Sequence, residues 1–366
     1  MIRASIAENI EWSEIYALFK LLGDKELHPG NSEIKKLENL VYPILRILRS
    51  EVNGDFEYSI EDDIVIISGN EEVFRIPISE FQERAKYLLA EIKNNSGTFS
   101  IPEIEEFMQS INCLSLKANS SAKTDITIVV HDQRTGLQPS LGFSIKSQLG
   151  NPSTLLNAGE TTNFIFKIES DSFSKQDIEY VNSLFVKRGE KLSRDIKGRI
   201  NAIYGKNGKL TFLNTQKQIF SNNLILIDSL LPQILASLLL QFASSNFSSI
   251  KDLIRIIENE NPLKFDTTNN HLFYSYKIKR FLTDIALGMM PSKVWTGEYD
   301  ATGGYLIVKA DGEVLCYHIY NKNEFENYLL ANTKLETASS SRHEFGELYE
   351  ENGQLYFKLN LQIRFK

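Results

Sequence analysis

Apolar and polar residues follow two different spacings in the first hundred residues of the chain. Apolar residues three and four positions apart predict amphipathic helices, and strict alternation with polar residues predicts strands. The helical spacing covers residues 10–22, 32–49 and 79–93, and the alternating spacing covers residues 56–67 and 72–78 around the turn Ser68-Gly69-Asn70. We therefore expect a mainly helical N-terminal region that contains one hairpin.

The polar run Asn94-Asn95-Ser96-Gly97 predicts a boundary, which would divide the chain into residues 1–97 and 98–366. Both spacings recur after it, so the whole chain predicts an α/β (α+β) fold. Expected helices cover residues 102–111, 174 onward, 223–242 and 250–259, and expected strands cover residues 126–131, 141–147, 163–168, 305–310, 313–320 and 355–365, with a hairpin over 202–213.

Composition is that of a globular protein without a membrane segment. Of 366 residues, 42% are hydrophobic and 24% are charged. The longest apolar run, residues 223–240, contains Asp228, Pro232 and Gln233, which favours a buried helix over a membrane span. Two cysteines supply neither a disulfide framework nor a zinc cluster. With no signal peptide evident, we expect a cytoplasmic protein.

Charge is distributed unevenly along the chain. The net charge is −7, and residues 1–98 alone hold 11 basic and 18 acidic side chains. The stretch Lys175–Lys217 has the opposite bias, with ten basic and four acidic side chains. Such a stretch is compatible with DNA binding, because phosphate contacts act over about 8–10 Å at moderate salt. A solvated helix face is the competing interpretation.

The chain also carries an acidic and a basic residue on neighbouring predicted strands. Asp125 opens the first strand, and Lys146 lies inside the second, 21 residues later. This is the layout of a metal-dependent phosphodiesterase site on a β-hairpin, where a carboxylate binds Mg²⁺ and an ammonium group activates water. This pattern alone is weak. Without further evidence Asp125 is more simply an ordinary strand-terminal aspartate, and the competing interpretation of Lys146 is an edge-strand lysine that faces solvent.

Two blocks of sequence resemble the HpaII-type restriction endonucleases. Gly142-Phe-Ser-Ile-Lys-Ser-Gln-Leu-Gly-Asn-Pro-Ser-Thr-Leu-Leu-Asn157 resembles the catalytic segment of that family, and a second resemblance covers Gly303 to His318 and Leu361-Gln-Ile-Arg-Phe365. The resemblance extends from about residue 117 to the C-terminus. It favours metal ligation by Asp125 and catalysis by Lys146.

The resemblance implies both a fold and an activity. It implies a PD-(D/E)xK restriction-endonuclease-like core in residues 98–366, a central mixed β-sheet flanked by helices, with a β-rich C-terminal part that recognises DNA. The helical residues 1–97 would be an addition to that core. It also implies dependence on Mg²⁺ and cleavage of duplex DNA at a short palindrome, which is CCGG for the enzyme that names the family.

The acidic residue that this superfamily places two positions before the lysine is replaced by Ser144. Serine is a poor ligand for Mg²⁺, which prefers carboxylate or carbonyl oxygens. We therefore expect Ser144 in the catalytic segment but a further metal ligand from elsewhere. Gln148 is the first candidate, as ligand or as holder of a metal-bound water, followed by Glu160 and then by Glu105 or Glu106.

Candidate DNA contacts fall into three groups. Asn151 to Asn157 reads as the start of a capped helix, whose backbone amides could face a phosphate. Arg342 and His343 lie in a polar loop, where arginine could read guanine or contact phosphate. The complete set of candidates is Lys123, Asn151, Ser153, Thr154, Asn157, Lys187, Arg188, Arg342 and His343.

The sequence thus favours a type II restriction endonuclease that acts on double-stranded DNA with Mg²⁺. A homodimer is expected because two-fold dimers usually read palindromes, and a cognate DNA methyltransferase is the expected genetic partner. Two alternatives stay open: a structure-selective repair-type nuclease of the same fold, and a non-catalytic DNA-binding subunit.

Overall fold

A computed structural model describes residues 7–69, 72–116, 124–170 and 173–366. The chain forms two compact units, each built from separated stretches of sequence. The first unit contains Met1–Ser153, Ala286–Gly288 and Tyr299–Tyr328, and the second contains Thr154–Ile285, Met289–Glu298 and Leu329–Lys366.

Helices and strands are mixed along the described residues, with a run of strands from β2 to β6 and a run of helices from α6 to α9. The helices are α1 (Asn9–Asp24), α2 (Ile78–Asn94), α3 (Pro102–Ser110), α4 (Lys175–Asn182), α5 (Ile196–Gly205), α6 (Gln218–Ile227), α7 (Leu231–Ser244), α8 (Ile250–Glu260), α9 (Phe273–Leu287) and α10 (Lys322–Asn332), with short 3₁₀ turns at Glu160–Thr162 and Ile319–Asn321. The strands are β1 (Ala7–Glu8), β2 (Glu26–Pro29), β3 (Tyr42–Glu51), β4 (Gly54–Glu61), β5 (Ile64–Gly69), β6 (Glu72–Pro77), β7 (Thr98–Phe99), β8 (Ile126–Val130), β9 (Ser140–Ser147), β10 (Thr154–Leu156), β11 (Asn163–Glu169), β12 (Phe185–Arg188), β13 (Lys191–Arg194), β14 (Lys209–Thr215), β15 (Gly304–Val308), β16 (Val314–His318), β17 (Thr333–Leu335), β18 (Leu348–Glu351), β19 (Gln354–Asn360) and β20 (Ile363–Phe365).

A nine-stranded mixed sheet organises the first unit, in the order β2-β16-β15-β9-β8-β3-β4-β5-β6. Strand β9 lies near its middle, parallel to β15 and antiparallel to β8. Every described residue of β15 and β16 is buried. Such continuous burial is expected of strands that are covered on both faces. The sheet therefore places β9 between two partners that hold it in a fixed register.

Helix α1 packs against this sheet and against α2. Its residues Trp12 to Phe19 are all buried, so the helix is enclosed on every side rather than half exposed. Phe19 contacts Phe81 of α2 and Phe107 of α3 edge-to-face, with ring centroids 6.0 Å and 5.3 Å apart. This aromatic cluster fixes α1 to the other two helices.

The second unit contains a four-stranded antiparallel sheet, β14-β11-β19-β18, and a smaller sheet, β10-β20-β17. Helix α7 supplies much of the core, with Leu231, Ile234, Leu235, Leu238 and Leu239 all at most 1% exposed. Strands β12 and β13 form a separate two-stranded ribbon.

The expected mixed α/β fold is confirmed, as are the helices predicted over 10–22, 79–93 and 102–111. The N-terminal region is not mainly helical, because the helix predicted over 32–49 is wrong. Residues Tyr42–Glu51 form β3, whose side chains alternate in burial except at a bulge between Ile44 and Arg46, and whose backbone pairs with β4 and β8. The sheet consequently takes strands from both sides of residue 97, so the predicted domain boundary lies inside the first unit.

Two further elements differ from the prediction. The hairpin expected over 202–213 is the end of α5 followed by β14. The single helix expected over 223–242 is α6 and α7, bent by 107° at their break. In the described residues, no single helix is long and apolar enough to cross a membrane. Among them, only this bent pair, taken as one segment, has the length and the apolar composition of a membrane span.

Candidate active site

Asp125 is fixed to β9 at the point where β8 begins. Its backbone N–H donates to the carbonyl of Phe143 at 2.8 Å. Its carboxylate oxygen Oδ2 accepts hydrogen bonds from the Ile145 backbone N–H at 2.7 Å and from the Ser144 hydroxyl at 3.0 Å. The antiparallel pairing of β8 and β9 sets this approach, because Ile126 lies opposite Phe143. The carboxylate is therefore held in one orientation.

Lys146 lies on the same face of β9 as Ser144, two residues along the strand. Its ammonium nitrogen Nζ donates to Ser144 Oγ at 2.8 Å and lies 5.1 Å from the ring centroid of Tyr305 on β15. Ser144 consequently links Lys146 to Asp125 through two hydrogen bonds. The side chains of Asp125 and Lys146 converge, as the metal-dependent site predicted from the sequence requires.

The surroundings of Lys146 lower its pKa. Burial has the largest effect because it removes water from the charged form, and the negative charges of Asp125 and Glu14 oppose it. The amine therefore gives up its proton more readily than an exposed lysine. A lysine with a lowered pKa is suited to positioning or deprotonating water.

Glu14 is a candidate site residue that the sequence analysis missed. It lies on α1, is 9% exposed, and is near enough to Lys146 for its charge to affect that amine. Neighbouring contacts dock α1 along β9: the Ser13 and Ser147 hydroxyls are 2.8 Å apart, and the Asn9 amide donates to the Leu149 carbonyl at 3.0 Å. A buried carboxylate needs charged or hydrogen-bonding partners, so its position beside Lys146 is chemically consistent.

Asp125 and Glu14 are the two carboxylates whose charges act on Lys146, and both are of the chemical type that binds Mg²⁺. Mg²⁺ is commonly bound by one or two carboxylates and completes its shell with water and substrate phosphate oxygens. Within the described ranges, no three His, Cys, Asp or Glu side chains lie close enough together to bind a metal ion. Asp125 also lies in the wall of a cavity of about 740 Å³, so this end of the strand is open to a ligand.

The other expected metal ligands have different surroundings. Gln148 lies just beyond β9 with an exposed side chain, and its backbone N–H donates to the Val308 carbonyl at 2.8 Å. Glu160 belongs to the second unit and forms a 3.5 Å ion pair with Lys217. Glu105 and Glu106 lie on α3. Metal binding by these four residues stays a prediction.

The first group of expected DNA contacts, Asn151 to Asn157, does not have the predicted secondary structure. The helix expected to begin near Asn151 is wrong, because residues Thr154–Leu156 form β10 and pair with β20. Asn151 and Asn157 are exposed, whereas Ser153 and Thr154 are half-buried. Lys123 lies outside the described residues.

The two remaining groups both belong to the second unit. Lys187 and Arg188 lie at the end of β12; the Lys187 side chain is exposed, and only the backbone of Arg188 is described. Arg342 is exposed, and His343 is half-buried with its carbonyl accepting a 2.9 Å hydrogen bond from the Asn163 amide. All these positions stay predictions as DNA contacts.

Comparison with known proteins identifies the family. A family model described as HpaII restriction endonuclease matches residues 8–365. The type II restriction enzyme HpaII of Haemophilus parainfluenzae is 52% identical over 359 residues, which is 97% of this chain and 97% of that enzyme. No solved structure matches the chain. The predicted resemblance is thereby confirmed and extends to the N-terminal region, so the chain belongs to the HpaII restriction endonuclease family.

Proposed function

We propose that this protein is a type II restriction endonuclease that hydrolyses phosphodiesters of duplex DNA with Mg²⁺, on a PD-(D/E)xK core formed by β8, β9, β15 and the helix α1. The observation that carries the proposal is the chain of hydrogen bonds from Asp125 through Ser144 to Lys146 on adjacent strands. The 52% identity to a type II restriction enzyme over nearly the full length supports the same class of reaction.

Asp125 and Glu14 would hold the metal, and Mg²⁺ when bound supplies Lewis-acid stabilisation of charge on the scissile phosphate. Lys146 would hold the attacking water through Nζ and, with its lowered pKa, accept or relay the proton that the water loses. The water oxygen forms a new bond to phosphorus while the bond to the 3′ oxygen breaks. The products are a 5′-phosphate and a 3′-hydroxyl.

Ser144 has a positioning role in this scheme. Its hydroxyl accepts from Lys146 and donates to Asp125, so it fixes the distance between the ammonium group and the carboxylate. A carboxylate at this position would compete with Asp125 for Lys146 and add a second negative charge on β9. In this scheme Glu14 of α1 would supply the second acidic ligand instead.

The target would be a short palindrome, CCGG by similarity to the named relative's family. Palindromes are usually read by two-fold symmetric dimers, so we propose a homodimer in the complex with DNA. A cognate methyltransferase would protect the host's own sites, and the enzyme would act in the cytoplasm. A structure-selective nuclease or a non-catalytic DNA-binding subunit are the alternatives that an experiment must separate.

Digestion of a sequenced plasmid with and without Mg²⁺ tests the proposal. Discrete fragments whose ends map to CCGG are expected, and chelation with EDTA should abolish them. A smear would indicate a structure-selective or non-specific nuclease, and binding without cutting would indicate a non-catalytic subunit.

Replacing Lys146 tests its assigned role. Lys146→Met should reduce the cleavage rate at least 1,000-fold, roughly the loss expected when a general base is removed, while binding of a CCGG duplex stays within about threefold of wild type. Lys93→Met is the matched control, because Lys93 is an exposed lysine at the end of α2 in the same unit. Retained cleavage in Lys146→Met, or an equal loss in the control, would contradict the assignment.

A further inference from the structure

The β12–β13 ribbon and the loop 337–347 lie side by side in the second unit. Arg194 of β13 donates to the carbonyls of Ser340 and Phe345 at 2.8 Å and 2.7 Å, and forms a 2.6 Å ion pair with Glu347. Residues of both segments, including Leu192 and Ser341, line a shared cavity of about 190 Å³. Two stretches about 150 residues apart in sequence thus form one continuous surface.

The ribbon projects its side chains into solvent. Leu192 is 69% exposed and Phe185 is 47% exposed, and the Lys187 and Lys191 side chains are exposed as well. At the turn, Gly189 has φ +60°, and a Cβ built on it would meet no atom within 4 Å. Phe185 packs under the Arg199 guanidinium, which lies 5.1 Å from the Phe185 ring centroid. An isolated two-stranded ribbon gains little stability from its own contacts, so burial does not account for the exposed Lys187, Lys191 and Leu192.

The register sorts the ribbon into two faces. Lys187 lies opposite Leu192, and Phe185 lies opposite Arg194, so these four side chains share one face. Arg194 is hydrogen-bonded to the loop, so this face contacts the loop at the Arg194 end of the ribbon. Toward the turn at Gly189, the side chains of this face are exposed. The loop adds the exposed Arg342 and three consecutive serine hydroxyls to the same surface.

The charges on this surface favour a polyanion. Lys187 and Arg342 are exposed basic residues of this surface, and the exposed Lys191 lies on the opposite face of the ribbon, paired with Arg188. Three acidic residues belong to the same segments: Glu347 is ion-paired with Arg194, and Glu190 and Glu344 are exposed. The surface is therefore net basic, although the whole chain carries −7.

We infer that the ribbon and the loop together form the surface that docks duplex DNA, with the ribbon entering the major groove. A two-stranded ribbon fits that groove in width, while arginine and hydroxyl side chains match base edges and phosphates. In this arrangement, Lys187 on one face of the ribbon and Lys191 on the other contact phosphates, and Arg342 reads a guanine. The inference rests on the proposed function and specifies which element contacts its substrate.

Binding measurements on full-length protein without metal test the inference. Lys187→Ala/Lys191→Ala should weaken binding of a CCGG duplex and of a scrambled duplex by about tenfold or more. It should also reduce the slope of log affinity against log salt by about two, roughly one for each lost phosphate contact. Lys251→Ala/Arg255→Ala is the matched control, because it removes two exposed basic residues one turn apart on α8. Unchanged affinity and slope in the ribbon variant, or an equal change in the control, would overturn the inference.

Arg342→Ala separates base reading from phosphate contact. We expect affinity for the CCGG duplex to fall by about tenfold or more while affinity for the scrambled duplex falls much less. An equal loss on both duplexes would overturn the guanine assignment.

Limited digestion of the wild-type protein with trypsin provides a test that needs no variant. Duplex DNA should slow cleavage after Lys187, Arg188 and Lys191, as measured by mass spectrometry, and unprotected ribbon sites would overturn the docking inference. The plasmid digest keeps the two proposals distinct. A wild-type protein that cuts at discrete sites but binds DNA without the ribbon disproves this inference alone, whereas one that never cuts DNA disproves the proposed function.

Discussion

Ser144 is the side chain that links Asp125 to Lys146. Its hydroxyl occupies the space between Asp125 Oδ2 and Lys146 Nζ, with hydrogen bonds of 3.0 Å and 2.8 Å. It therefore preserves the geometry that links the two strands but contributes no negative charge. If Mg²⁺ binds here, as proposed, a second negative charge would come from another element, and Glu14 is the buried carboxylate whose charge acts on Lys146.

Glu14 gives a prediction at the residue scale. Glu14→Gln keeps the shape of the side chain but removes its charge, so Mg²⁺ affinity measured by isothermal titration calorimetry should fall about tenfold or more and cleavage about 100-fold. Glu11→Gln, one turn earlier on α1 and only half-buried, is the control and should stay within about twofold of wild type. Unchanged metal affinity in Glu14→Gln would contradict the role proposed for this carboxylate.

The sequence could predict that Asp125 and Lys146 come together because their signal is local: a strand that opens on an acid, and a strand that carries a lysine inside a block resembling a known family. Glu14 gave no comparable signal, since its partner lies more than 130 residues away in the sequence and helix spacing does not reveal which side chains face a sheet. The clue was the polar pair Ser13-Glu14 inside an otherwise apolar stretch, which becomes informative once that stretch is known to be buried.

At the scale of elements, β3 illustrates where periodicity failed. Residues 37–48 place apolar side chains three and four apart, as a helix would, yet they include β3. This strand buries Tyr42 and Ile44 and, after a bulge between Ile44 and Arg46, alternates again from Ile47. Pairing with β4 on one side and β8 on the other outweighed local propensity, and β-branched isoleucines pack well on such a surface. Helices α1, α2 and α3 were predictable because their apolar positions match one spacing only.

The aromatic cluster gives a prediction for the helical layer. Phe19→Ala removes a fully buried ring that contacts Phe81 and Phe107, so the free energy of unfolding should fall by about 3–5 kcal/mol. Urea denaturation followed by circular dichroism measures this change. Tyr87→Ala, on α2 with a side chain 37% exposed, is the comparison and should cost much less. Similar losses for both variants would show that the cluster does not hold α1 in place.

At the scale of the whole molecule, a buried histidine couples stability to pH. His318 is 2% exposed and lies among the rings of Tyr42, Phe143 and Tyr320, where it accepts a 2.9 Å hydrogen bond from the Tyr320 backbone N–H through Nδ1. Burial lowers the pKa of His318 to about 4, with Asp132 raising it and Arg134 lowering it by smaller amounts. The folded protein therefore keeps this ring neutral at neutral pH.

The sign of the pH dependence follows from that lowered pKa. Below pH 6.5 the unfolded chain protonates His318 whereas the folded chain does not, so stability present above pH 6.5 is lost as pH falls toward 4, by on the order of 3 kcal/mol. Urea denaturation at pH 7 and pH 5 should show a smaller loss in His318→Gln than in wild type. His271→Gln, at an exposed position, should retain the wild-type loss. Identical pH profiles for all three proteins would contradict the assignment.

The sheet order in the first unit has a consequence for synthesis of the enzyme. Strand β9 carries Lys146 but acquires its neighbour β15 only when residues 304–308 have been made. A nascent chain that stops before that point has no completed sheet around Asp125 and Lys146. Nuclease activity should therefore appear only after the ribosome has made most of the polypeptide, so prematurely ended chains would pose no threat to the chromosome of the cell that makes them.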